Sequence, residues 1–74
     1  MSHTITEDEL ADYIEEQRRA WSRFAMSDGA AHEVKRLDFS IGLTTPMYRV
    51  TYGDRTIYIG VLKETAVREY NALP

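Results

Sequence analysis

Two histidines, His3 and His32, are the only imidazoles in the chain. Neither has a second histidine four residues away, as a helical metal site needs, and His32-Glu33 alone is no zinc-protease signature. Both read as solvent-exposed, His3 within a frayed segment over 1–5. The glycines at 29, 42, 53 and 60 are scattered and build neither a phosphate loop nor a dinucleotide turn. Ser22, Ser27 and Ser40 have no base and acid placed around them in a recognisable motif. The carboxylates of the first helix fall mostly outside its apolar stripe, where water screens them rather than setting their pKa values apart. These residues predict no catalytic group, no metal ligand and no cofactor, and a chain this small has little room for an enzymatic pocket. The expectation is a protein that is not an enzyme.

Binding is better provided for. Arginine and tyrosine are enriched among the residues that dominate interfaces, and a β-hairpin supplies both. Tyr52-Gly53-Asp54-Arg55 lies between two alternating runs. If Gly53 and Asp54 form a two-residue loop, Tyr52 pairs with Arg55, Val50 with Ile57 and Tyr48 with Ile59 on one apolar face. The other face then collects Thr51 with Thr56, Arg49 with Tyr58, and Met47 with Gly60. Arg49, Thr51, Thr56 and Tyr58 are therefore the candidate contact residues, with Arg19 and Arg23 as electrostatic support. Arg49 beside Tyr58 is equally readable as a cross-strand pair that stabilises the sheet.

The elements that position these residues follow from spacing. Thr6 with Glu9 fits a capping box, and Ile5 with Leu10 a hydrophobic staple. Leu10, Tyr13, Ile14, Ala20, Trp21 and Phe24 continue at helical spacing, with Ser27-Asp28-Gly29 as the stop, predicting a helix over 7–27. Residues 30–35 fit either a short helical turn or a connector. Leu37, Phe39, Ile41 and Leu43 alternate with polar residues and predict a strand over 37–44, ended by Thr44-Thr45-Pro46. The hairpin strands are 47–52 and 55–61. Leu62, Ala66, Val67, Tyr70 and Leu73 return to helical spacing and predict a short helix over 63–73. The fold class is α+β: a helix, a three-stranded antiparallel meander and a C-terminal helix, with both helices on one sheet face.

Seventy-four residues make one domain over 1–74, near the lower size limit for a single core without staples. There is no cysteine for a disulfide or a thiolate metal site. The opening Met-Ser-His-Thr lacks the pattern of a secretory signal, and no apolar run approaches membrane-spanning length, so the expectation is a cytoplasmic protein with no membrane contact. A net charge of −3 argues against a general nucleic-acid binder. Glu7, Asp8, Glu9, Asp12, Glu15 and Glu16 precede any base, and Arg18, Arg19, Arg23, Lys35 and Arg36 follow. That polarity complements a helix dipole; it also admits phosphate mimicry by the acidic face, or weak nucleic-acid binding by the bases. Unpaired sheet edges leave a homodimer open beside a monomer.

The tail, from Tyr48-Arg49-Val50-Thr51-Tyr52-Gly53-Asp54-Arg55 through Ile57-Tyr58-Ile59-Gly60 to Ala66-Val67 and Tyr70-Asn71-Ala72-Leu73, resembles small phage and prophage accessory proteins. In these a hairpin around a glycine-containing turn runs into a short alanine-rich helix. The helix–hairpin–helix order is also similar to small phage head–tail joining proteins, from which this chain departs by its strand at 37–44, its brief second helix and its lack of a basic tail. The resemblance implies a mobile-element protein that binds a host protein or protein complex, such as an inhibitor of host defence; the head–tail likeness implies a structural role in the particle. It carries over no functional residue.

Overall fold

The computed structural model describes residues 3–19, 27–40 and 46–74. Its elements are α1 (Glu7–Arg19), β1 (Ser27–His32), β2 (Lys35–Ser40), β3 (Met47–Tyr52), β4 (Arg55–Gly60) and α2 (Lys63–Ala72). The strands form one antiparallel sheet in the order β1-β2-β3-β4. The α+β class is as expected, with four strands in place of three.

Thr6 starts α1 as its spacing predicts: its Oγ1 accepts the Glu9 N–H at 3.1 Å, one of the orphan donors of the first turn. Leu10 and Ile14 are buried on one side of the helix, with Tyr13 packed beside them. Trp21, Arg23 and Phe24 lie outside the described residues, as do Ile41 and Leu43. The predicted helix end at 27–29 is incorrect, because Ser27, Asp28 and Gly29 open β1 instead. Gly29 does not take the left-handed backbone of a helix stop. A β-bulge between Asp28 and Ala30 brings it against β2, where a Cβ would stand 2.5 Å from the Leu37 carbonyl oxygen. The glycine serves close backbone approach.

Residues 30–35 are neither helical turn nor plain connector. They are the end of β1 and a tight turn, with Glu33 at φ 56° and the Val34 carbonyl accepting the Gly53 N–H at 2.8 Å. The two hairpin turns are thus tied together. Gly53, at φ 63°, takes the left-handed position that its hairpin requires.

One core lies between the sheet and the helices. Leu37, Phe39, Tyr48 and Val50 from the sheet meet Ile5, Leu10 and Ile14 from the N-terminal side and Ala66, Val67 and Tyr70 from α2. Since Leu37 pairs with Val50 and Phe39 with Tyr48, these sheet residues share a face. Both helices cover that face, and among the described residues no element covers the other.

Candidate protein-binding face

The hairpin register decides what the open face carries. Tyr52↔Arg55 and Thr51↔Thr56 pair as expected, but β4 then carries one extra residue, Ile57, in a bulge. Beyond it the partners are Val50↔Tyr58, Arg49↔Ile59 and Tyr48↔Gly60. One inserted residue moves every following side chain to the other face. Tyr58 therefore leaves the predicted site: it joins the Val50 side, packs against the core, and its hydroxyl accepts the Leu62 N–H at 3.1 Å. Gly60 leaves room for it, since a Cβ there would meet the Tyr58 Oη at 2.5 Å. Ile59 takes the place expected of Tyr58, opposite Arg49 and 60% exposed.

Arg49 stays on the open face. Its register partner across β2–β3 is Asp38, and Nη2 donates to Asp38 Oδ2 at 3.4 Å. Arg36, two residues along β2 on the same face, brings its own Nη2 within 3.7 Å of Asp38 Oδ1. Asp38 is only 6% exposed although it points away from the helices. Its Oδ1 accepts no hydrogen bond, and Arg49 Nε donates none. A buried carboxylate without counter-charge is costly; here it anchors one guanidinium whose side chain is 40% exposed. Thr51 is half-buried, Thr56 exposed, and the two face each other across the hairpin. Met47, also exposed, completes the face on β3.

Arg19 ends α1, in the helix layer on the other side of the sheet from Arg49. Its side chain and the whole of Arg23 fall outside the described residues. In relation to known proteins, the chain matches no family model, no curated protein and no solved structure.

Lys35 also departs from expectation. Counted among the bases that could meet nucleic acid, it is instead fully buried on the covered face. Nζ donates to the carbonyls of His3, Tyr70 (3.2 Å) and Leu73 (3.1 Å), and stands 4.3 Å from the Tyr70 ring centroid. Three ammonium hydrogens meet three acceptors, two of them at the carbonyl-rich end of α2, which favours a cation. Burial lowers its pKa. It also raises that of Tyr48, against the lowering pull of Arg18, and that of Tyr70, with Tyr13 adding to the rise.

His3 is not frayed. It is half-buried, hydrogen-bonded through Nδ1 to the Tyr70 hydroxyl at 2.7 Å and stacked on His32. No spacing rule connects residues so far apart in the chain. Among the described residues, no three histidine or carboxylate side chains come together as a metal site, and no helix is long and apolar enough to cross a membrane.

Proposed function

We propose that this chain is a non-enzymatic protein-binding module whose open sheet face docks a partner protein. The observation that supports this most is Arg49, anchored by a nearly buried Asp38 and set between exposed apolar Met47 and Ile59. Interface centres combine a pre-positioned arginine with apolar surface in this way. The contact residues are Arg49, Thr51 and Thr56, with Ile59 replacing Tyr58. The narrower form of the reading, a cytoplasmic, phage-encoded inhibitor of a host protein or defence complex, draws its support from the resemblance of the tail.

The experiment is an affinity pull-down from host extract, identification of the partner by mass spectrometry, and calorimetric titration of variants against it. Arg49→Ala should weaken the complex by more than about 1 kcal/mol, and Ile59→Ser by a similar amount, while the domain stays folded. Unchanged affinity in both would remove this face from the reading.

A second reading, an assembly role in a phage particle, draws on the two sheet edges, β1 and β4, that no other described strand covers. Light scattering on the purified chain separates the two, because a closed higher oligomer favours assembly and a monomer or dimer favours the inhibitor.

A further inference from the structure

β4 is the barest strand of the sheet. β2 and β3 both bury side chains in the core, whereas β4 fully buries none and leaves Ile59 60% exposed. The chain beyond it stays apolar and in water, with Val61 52% and Leu62 60% exposed. Met47, also exposed, sits beside them, one position before the Tyr48 that pairs with Gly60. Among the described residues no strand lies along the outer edge of β4. The alternation of an antiparallel ladder says what that edge presents, since every second residue bonds to a given neighbour. The Gly53 N–H bonds toward β2, at the Val34 carbonyl, so Thr51 and Arg49, two and four residues earlier, turn toward β2 as well. Their partners across β3–β4 are Thr56 and Ile59, whose N–H and C=O groups therefore point away from β3 to the free edge.

We propose that β4 pairs antiparallel with β4 of a second copy of this chain across a two-fold axis, joining two four-stranded sheets into one. Sheets ordinarily protect an edge with charge, proline or a bulge. From Thr56 to Leu62 this one carries neither charge nor proline, and its bulge at Ile57 leaves Ile59 in register with Arg49. The stretch is complementary to itself. Antiparallel pairing brings the start of one strand to the end of the other, so Asp54 and Arg55 of one copy approach Lys63 and Glu64 of the next. Each end holds one acid and one base, and no excess of like charge is opposed. The exposed Ile59 and Val61 of the two copies then shield each other from water, which favours association. β1, the opposite edge, has no such surface, because Ser27–His32 holds no aliphatic residue larger than alanine. Arg49 lies one strand in from the edge, so this pairing is distinct from the partner docking proposed above.

Light scattering on the full chain, from about 1 μM to about 1 mM, should show the average mass climbing to twice that of the chain and levelling there. Ile59→Lys brings two ammonium groups toward the axis and should raise the dissociation constant about tenfold or more. Val61→Lys should act in the same direction; both positions are more than half exposed, so either lysine is compatible with the folded monomer. Arg49→Ala should leave the dimer unchanged. Amide exchange of the Ile59 N–H, followed by NMR, should slow as the chain is concentrated. Monomer mass throughout would overturn the pairing and leave the edge to a strand of a different protein. A mass that rises past two chains would overturn it in favour of open-ended assembly. A dimer that tolerates both lysines, or that Arg49→Ala weakens as much as they do, would place the contact elsewhere and overturn it too.

Discussion

Lys35 and Asp38 lie three positions apart on β2, on opposite faces, and both are withdrawn from water. The fold treats them differently. Lys35 has no carboxylate among its hydrogen-bond acceptors, and three backbone carbonyls saturate its ammonium. Those carbonyls come from the two ends of the domain, so the lysine acts as a clamp. Asp38 has two arginines but keeps one oxygen without a hydrogen bond. Its partners are two part-exposed arginines on the face away from the core. The difference separates a charge that closes the fold from one that holds arginines in place on the far side of the sheet.

The strongest way to break the comparison is Lys35→Ala. Orphaning buried carbonyls and opening a hole should cost about 3 kcal/mol, most of what a domain of this size has to lose. Urea unfolding measures it. Lys35→Met keeps the bulk of the stem and removes a desolvated charge, so it should recover part of the loss. Equal losses in the two variants would assign the whole cost to the unsatisfied carbonyls.

Gly29→Ala is the next largest effect and concerns the covered face. The new Cβ would stand 2.5 Å from a backbone oxygen that the β1–β2 ladder fixes, and about 2 kcal/mol should be lost. Gly60→Ala meets the same nominal distance, but from the hydroxyl end of Tyr58. That end can swing aside for the loss of one hydrogen bond, about 1 kcal/mol. Thermal unfolding of the two variants ranks them; a Gly60 variant as damaged as the Gly29 one would mean that Tyr58 is as rigid as backbone.

Asp38→Asn tests the open face. The shape is kept and the charge removed, so Arg49 loses its anchor at a cost of about 1 kcal/mol, modest because both arginines are partly hydrated. The dependence of stability on salt should flatten in the same variant, as read from urea midpoints at low and high ionic strength. Partner affinity should fall alongside Arg49→Ala.

Much of this architecture was legible from spacing. The capping box at Thr6, the alternation through Leu37 and Phe39, the Gly53 turn and the apolar positions of α2 all report local geometry, which sequence periodicity encodes. Ser27-Asp28-Gly29 misled because a glycine that permits close backbone approach looks the same in sequence as one that ends a helix. The β4 bulge was invisible for a similar reason. Thr56, Ile57, Tyr58 and Ile59 alternate equally well with or without an extra residue, and only Gly60 making room beneath the Tyr58 ring distinguishes the two registers. Of the residues on the sheet face away from the helices, Arg49, Thr51 and Thr56 were placed there from the sequence and Ile59 was not. Lys35 and His3 were beyond reach, since their hydrogen-bond partners lie more than thirty positions away along the chain.

The smallest effect comes from alkaline titration, where the groups of the covered face oppose one another. Lys35 has a folded pKa below its ordinary 10.5, so between those two values the unfolded chain binds more protons. Raising the pH through that window therefore adds stability, as the cost of the buried ammonium is relieved. Tyr48 and Tyr70 shift upward from 10.0, so above that pH the unfolded chain loses its phenolic protons first and stability falls. Urea midpoints followed from about pH 8 to about pH 11 should rise gently and then turn down. Lys35→Met should abolish the rising limb and leave the falling one, whereas Tyr70→Phe should weaken the fall alone. Superimposable profiles for the wild type and Lys35→Met would mean that the ammonium keeps its ordinary affinity for a proton, and that three carbonyls and a ring face replace water at no net cost.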